Sequence, residues 1–365
     1  MTQHAPLQWR DPVMASDDNE GSDDDVDNLL KAGFTDPDTS LFILSEGFDP
    51  RCLTALQRFI NAVGVPRVLA VDPQPQITSA SSLTKERRAQ HSARLDELIG
   101  DRLERMPYPD VHDETSVGRN LAHKLTAPEI LDGVKAVAFD VSAFPTSLSF
   151  PPLRALLDAC QQDWGPTELQ VLVTANPNLD HSISKGSLGL AHKLAGFRGR
   201  RQGNPINVWA PVLGLRGSAT LKAIADFIQP QEVCPVLPFP AADPRLPDRI
   251  LMAHTELLLE RFEIGPHNLI YAAESNPFDL YRTLARFHQD YTATLEPLGG
   301  ALVHLSMHGS KLLSIGALLA AYEFDLPVVA MRANQYDVTE DQYSSASREA
   351  DRVTCLWLRG EPYLP

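Results

Sequence analysis

Leu41-Phe42-Ile43-Leu44-Ser45-Glu46-Gly47-Phe48-Asp49-Pro50-Arg51 is the stretch on which the fold turns. A strand-forming apolar run meets a glycine, and Pro50 then opens a helix-like segment that ends at Phe59-Ile60. The same order returns downstream. Val208-Trp209-Ala210-Pro211-Val212 leads into Gly214-Leu215-Arg216-Gly217-Ser218 and a segment ending at Phe227-Ile228. Each copy continues into an apolar run closing in Pro-x-Pro, at Val71-Asp72-Pro73-Gln74-Pro75 and at Val236-Leu237-Pro238-Phe239-Pro240. About 95 residues past each glycine a strand-like run ends in a serine, Ser142 and Ser306. Later runs close on Ala175-Asn176 and Ala333-Asn334. Four matches in one order imply duplication, and a period of about 165 residues is too long for a solenoid. The expectation is two homologous domains packed as a pseudo-dimer.

Apolar runs alternate with amphipathic stretches along all 365 residues, the pattern of an α/β fold with mainly parallel sheets. In the first half it predicts strands at 41–45, 67–71, 135–141 and 169–174, and helices at 50–63, 84–105, 127–132 and 151–162. In the second half it predicts strands at 207–212, 232–237, 268–272, 301–305 and 327–331, with helices at 218–228, 246–262, 277–292 and 311–322. Asp49 before Pro50 and Asn276 before Pro277 read as helix caps. Gly64 and Gly165 read as helix ends. The resulting division is an acidic disordered leader at 1–38, a first domain at 39–180, a connector at 181–205, a second domain at 206–340 and an extension at 341–365. Within that extension Val353 to Leu358 reads as a final edge strand.

The net charge of −15 is unevenly spread. Asp11, Asp17, Asp18, Glu20, Asp23, Asp24, Asp25 and Asp27 form a run with no base between them, which suggests a solvated leader. Overall acidity argues against broad duplex binding, because that affinity comes from neutralising phosphates. Nucleic acid is left one route, the basic loop at 185–201 with Lys185, Lys193, Arg198, Arg200 and Arg201; its plainer reading is a mobile connector. No apolar run approaches the roughly 20 residues a membrane span needs. No secretory pattern opens the chain either, so a soluble, cytoplasmic protein without a membrane partner is expected. Cys52, Cys160, Cys234 and Cys355 are too scattered for a disulfide framework or a zinc site.

The chemistry is expected in the strand-to-helix loops. Ser306-Met307-His308-Gly309-Ser310-Lys311 sits where backbone amides of Gly309 and Ser310 can face an anion and Lys311 can add a charge; alternatively Ser310 caps the helix and Lys311 is solvated. Gly47 and Arg51, repeated as Gly214 and Arg216, place a cation after each glycine. Arg51 could instead pair with Glu46 or Asp49. Ser142 is the counterpart of Ser306, and Asp140 before it could hold a ribose hydroxyl, orient a water or satisfy nearby amides. Asn334 and Tyr336 could read and stack on a base, or form an ordinary turn. Asp140, Asp49 and His308 are the candidates for general acid or base. His304 and His308 lack a third ligand at metal spacing, so no metal is expected, and no cofactor motif is present.

The segment running from the strand through Ser306-Met307-His308-Gly309-Ser310-Lys311 into the next helix resembles the Gly-Thr-Lys region of CARF-type Rossmann-like domains, with Ser310 in place of threonine. Those domains sense cyclic oligonucleotides in prokaryotic antiviral systems and work as dimers. The Gly47-Phe48-Asp49-Pro50-Arg51 loop is similar to one in Rossmann-like proteins of bacterial conflict systems. With the repeated loops, the expectation becomes a tandem duplication of Rossmann-like domains in a pseudo-two-fold arrangement. The resemblance implies a nucleotide-like ligand held by Gly309, Ser310 and Lys311, with Arg51 or Arg216, and a sensing role exercised through a separate protein effector. An enzyme acting on a nucleotide or phosphorylated metabolite, and a non-catalytic interaction scaffold, are the alternatives.

Overall fold

The computed structural model describes residues 7–17, 24–72, 81–107, 116–186, 188–200, 203–331, 333, 336–338 and 351–363. In chain order the strands are β1 (Val13–Ser16), β2 (Ser40–Ser45), β3 (Arg67–Val71), β4 (Leu103–Met106), β5 (Ala136–Asp140), β6 (Glu168–Ala175), β7 (Ile183–Lys185) and β8 (His192–Lys193). They continue as β9 (Ile206–Val212), β10 (Glu232–Val233), β11 (Val236–Pro238), β12 (Ile270–Ala272), β13 (Ala301–Met307), β14 (Val329–Ala330), β15 (Tyr336–Val338) and β16 (Arg352–Arg359). The helices are α1 (Asp24–Gly33), α2 (Arg51–Ala62), α3 (Ser82–Ile99), α4 (Val117–Leu125), α5 (Pro128–Leu131) and α6 (Thr146–Ala159). After them come α7 (Pro177–Ser182), α8 (Ser218–Ile228), α9 (Leu246–Ala253), α10 (Pro277–Leu295) and α11 (Lys311–Glu323).

The chain forms two compact units, and neither is one continuous segment. The first comprises Asp11–Leu188 with Ala333–Pro365, the second Gly189–Arg332 with Met1–Arg10.

The first unit is built on a seven-stranded sheet in the order β1-β16-β6-β5-β2-β3-β4. From β6 to β4 all neighbours are parallel, with Leu41 opposite Arg67 and Val137, while β16 and β1 are antiparallel. β2, β3 and β5 are apolar on both faces because helices cover both, as a parallel sheet requires. One core layer joins Phe42, Leu44, Ala138 and Leu172 of the sheet to Cys52, Ala55 and Phe59 of α2. Phe34 and Phe42 meet Phe59 edge-on, at ring separations of 4.8 and 5.3 Å.

In the second unit β9 is central. β13 pairs along its whole length on one edge, Ala301 opposite Ile206 through Met307 opposite Val212. β10 and β11 follow each other along its other edge, with β12 beyond β11, and every pairing is parallel. Pro235 interrupts the β10–β11 line because it has no N–H to give the ladder. Leu305 bridges to Val328 outside β13. α11 is buried from Leu312 to Ala321, which explains an apolar composition on every side of that helix.

Several expectations change. The leader at 1–38 is structured where it is described: β1 pairs with β16, and α1 buries Val26 and Leu30 at a spacing of four. Trp9 is fully buried in the second unit, edge-on to Tyr281 at 5.5 Å. Asp18, Glu20 and Asp23 lie outside the described residues. The predicted helix at 84–105 stops at Ile99 and gives way to β4, an edge strand whose Glu104 and Arg105 face solvent. α4 was not foreseen, and the helix expected at 151–162 begins at Thr146, carrying Pro151 and Pro152 in its first turns. The helix expected at 246–262 is α9 followed by a π-type turn at Glu256–Arg261.

The division at 181–205 and 340 also moves. β7 pairs with β15 in the first unit, β8 pairs with β14 in the second, and Leu194 and Phe197 are buried, so this stretch is packed chain rather than a free connector. Arg201 and the first Pro-x-Pro, Pro73 to Pro75, are outside the described residues. The extension at 341–365 belongs to the first unit, and β16 is an interior strand of its sheet. Val353, Cys355, Leu356 and Leu358 bury both its faces, so it needs a neighbour on each side. Among the described residues no helix is long and apolar enough to cross a membrane.

Candidate functional site

In the first unit the chain leaves β2 toward β3 on one side, and β5 lies on the other. The carboxyl ends of β2 and β5 therefore flank the point where a doubly wound sheet opens a crevice. The loop after β2 delivers Asp49 and Arg51 there. Asp49 Oδ1 accepts the backbone N–H of Arg51 at 3.1 Å, but α2 begins at Arg51 with Pro50 in the cap position, so Asp49 stands one residue before the cap expected of it. The Arg51 guanidinium, 3% exposed, gives Nε to Asp49 Oδ1 at 3.0 Å and one terminal nitrogen to Asp49 Oδ2 at 2.7 Å. Its other terminal nitrogen reaches Asp180 Oδ1 at 2.6 Å. Burial alone would lower the Arg51 pKa, but the two carboxylates outweigh it and hold the charge in place. Arg51 is thus an ion-pairing residue, with Asp180 as the partner that sequence did not suggest.

Asp140 ends β5 and is 1% exposed. Its Oδ1 accepts the Ser142 hydroxyl and the Ser142 backbone N–H, the latter at 2.9 Å, while its Oδ2 is buried with no hydrogen-bond partner. Burial pushes its pKa up to about 7; the Ser142 hydrogen bonds pull the other way, and the nearby Asp49 charge adds to the rise. Ser142 also accepts the N–H of Thr174 at 2.7 Å, so it ties β5 to β6. Asn176 caps α7 and donates to Asp351, which also accepts from Thr54 of α2 at 2.8 Å. Cys52, one residue into α2, has its thiol pushed well up by burial and by these carboxylates, which leaves it inert.

The corresponding edge of the second unit lies where β9 and β13 end side by side. Here the two loops touch backbone to backbone. A Cβ added at Gly214 would lie 2.2 Å from the His308 carbonyl oxygen, and one added at Gly309 would lie 2.8 Å from that of Leu213. Ser306 is buried between the Trp209 indole, which donates to its hydroxyl at 3.0 Å, and His308, whose Nε2 is 2.9 Å away. Ser310 caps α11 by accepting the Leu313 N–H at 3.2 Å, so the capping alternative is the one realised for its side chain. Lys311 opens α11 and is partly exposed; Arg216 is exposed on the loop after β9.

His304 has its Nε2 3.3 Å from Asn207 Oδ1 and a pKa lowered to about 4 by burial and by Lys193. Among the described residues no group of three or more histidine, cysteine or acidic side chains could hold a metal ion. Tyr336 lies in β15, paired with β7 in the first unit. Asn334 lies outside the described residues.

Two histidines escaped the sequence reading. His91 of α3, 9% exposed, donates from Nδ1 to the Gly47 carbonyl at 2.9 Å. His254, just past α9 and 2% exposed, donates from Nε2 to the Gly214 carbonyl at 2.7 Å and accepts the Ser218 hydroxyl at Nδ1, 2.9 Å away. Each unit therefore fixes its glycine loop with a buried imidazole from the helical segment after its second strand. The signal was present as a histidine recurring some 40 residues after each glycine.

No family model matches this chain, and no curated protein matches it.

Proposed function

We propose that the chain is a binding protein for a nucleotide or another phosphorylated small molecule, descended from a duplicated Rossmann-like unit, with the ligand's phosphate at the Ser306–Lys311 loop of the second unit. The observation that carries this reading is the contact of Gly214 with Gly309. Both loops meet without side chains between them, at the edge where α11 begins. The first N–H groups of a helix have no partner within it, so they favour an anion, and Lys311 adds a full charge beside them. No acidic residue occurs in 213–218 or 306–311 to oppose that field.

Duplication is supported by strand order. In the first unit β5, β2, β3 and β4 adjoin in that sequence, and in the second β13, β9, the β10–β11 line and β12 do. The paired His91 and His254 contacts extend the correspondence to side chains. The resemblance of the Ser306–Lys311 segment to CARF-type domains supports a nucleotide as the phosphate carrier, with a separate protein reading the bound state. Calorimetric titration or thermal shift with ATP, cyclic dinucleotides and pyrophosphate tests the reading. A ligand at 100 times its Kd adds about 2.7 kcal/mol to apparent stability. That response should disappear in Lys311→Ala while the free protein keeps its fold; an unchanged response would refute the site.

Turnover of such a ligand is the second reading, favoured by His308 in the same loop, whose Nε2 lies 2.9 Å from the buried Ser306 hydroxyl. Product formed from ATP or a cyclic dinucleotide and lost in His308→Ala would establish it.

A further inference from the structure

The geometry points to a second ligand site, on the first unit at the carboxyl ends of β5 and β6, that takes an uncharged hydroxyl group of the kind a sugar ring carries. It is independent of the phosphate site proposed above. Two buried polar atoms at this edge have no hydrogen-bond partner among the described residues, Asp140 Oδ2 and Thr174 Oγ1. Their residues are 1% and 0% exposed, and an unpaired buried polar atom costs about 1–3 kcal/mol. Asp140 stands opposite Leu172 on β6, and Thr174 follows Leu172 by two, so both side chains lie on one face of the sheet. Ser142 links them, donating to Asp140 Oδ1 and accepting from the Thr174 N–H. Two orphaned groups tied together beside the crevice of a doubly wound sheet have the form of a vacant recognition pair.

Charge decides what the pair can take. Asp49, Asp140, Asp180 and Asp351 gather around this edge with Arg51, whose Nε and both terminal nitrogens are bonded to Asp49 and Asp180. A phosphate or carboxylate would meet that surplus of negative charge, which Arg51 only partly offsets. An ammonium would suit the charge, but burying it costs several kcal/mol, and its three donors would face two acceptors. A hydroxyl answers both atoms at once: it donates to Asp140 Oδ2 and accepts from the Thr174 hydroxyl. Vicinal hydroxyls of a ribose supply that group without charge.

The test uses the full-length protein with adenosine, D-ribose and 2′,3′-dideoxyadenosine as probes, read by calorimetry and thermal shift. Adenosine should bind and dideoxyadenosine should not. A response to ribose as well identifies the sugar as sufficient, whereas a response to adenosine alone identifies a nucleoside; either supports the site. Thr174→Val keeps the side-chain shape and removes an unpaired hydroxyl, so the free protein should melt no lower than wild type. Its adenosine affinity should fall about tenfold, the equivalent of one hydrogen bond. Asp140→Asn should weaken adenosine comparably, and pyrophosphate binding should be unchanged in both variants. Three results would overturn the proposal: no binding of adenosine or ribose, in which case the two atoms hold only water; equal binding of dideoxyadenosine; or full adenosine affinity in Thr174→Val. Since adenosine, ribose and dideoxyadenosine carry no phosphate, their binding is separable from the fate of the Lys311 site.

Discussion

The two sheet edges are held by the same contact and furnished with opposite chemistry. At the first, His91 fixes the Gly47 carbonyl and the surroundings are acidic, with Asp49 and Asp180 on one guanidinium and Asp140 close by. At the second, His254 fixes the Gly214 carbonyl, and the loops hold Arg216 and Lys311 with no carboxylate. The contact that holds the backbone recurs in both units, whereas the side chains of the loops differ. The glycines differ too. Gly214 is packed against a neighbouring backbone, whereas a Cβ at Gly47 would meet nothing within 4 Å. A repeated residue can therefore serve a steric need in one copy and none in the other.

Substitutions can break this comparison one element at a time. The largest effect belongs to Asp140. Its folded pKa of about 7 lies above the ordinary carboxyl value of 3.8, so the neutral carboxyl is favoured by folding. Its contribution is full below about pH 4 and is lost as pH rises through 7. Over that window wild type should lose roughly 4 kcal/mol relative to Asp140→Asn, at 1.36 kcal/mol per unit. Paired urea melts at pH 4 and pH 8 measure the difference; parallel pH profiles for the two proteins would show that Asp140 is not buried as described.

Next come the glycines. Gly214→Ala forces the β9 and β13 loops apart and should cost about 1–3 kcal/mol, the range for overpacking, while Gly47→Ala should stay within about 0.5 kcal/mol. Equal melting temperatures for the two variants would remove the asymmetry. His91→Phe and His254→Phe each strand a carbonyl and should cost about 1–3 kcal/mol. The second should cost more, because His254 also holds Ser218. Lys311→Ala is the smallest in stability, within about 0.5 kcal/mol, since a partly exposed lysine at a helix start supports no core.

Strands β2, β3, β5, β9 and β13 were legible because their apolar runs are buried on both faces and bounded by glycine, proline or aspartate. β4 was not, since Leu103-Glu104-Arg105-Met106 at a sheet edge keeps two charges in solvent and reads as the end of a helix. The acidic run hid α1, although Val26 and Leu30 already carried a helical spacing. No local pattern could assign β16 to the first unit, because its partner β6 lies some 185 residues earlier and pairing is decided by packing. At the candidate sites the loops were found and the occupancy of their side chains was not. Asp49 and Asp180 claim Arg51, and Ser310 is spent on its helix, outcomes set by neighbours that only the folded chain assembles.

The most direct measurement is a calorimetric titration of pyrophosphate into wild type, Lys311→Ala and Asp140→Asn at pH 7 and low salt. Opposite chemistry at the two edges predicts binding to wild type, loss of at least tenfold in affinity in Lys311→Ala, and unchanged affinity in Asp140→Asn. Affinity retained in Lys311→Ala, or lost equally in Asp140→Asn, would contradict it.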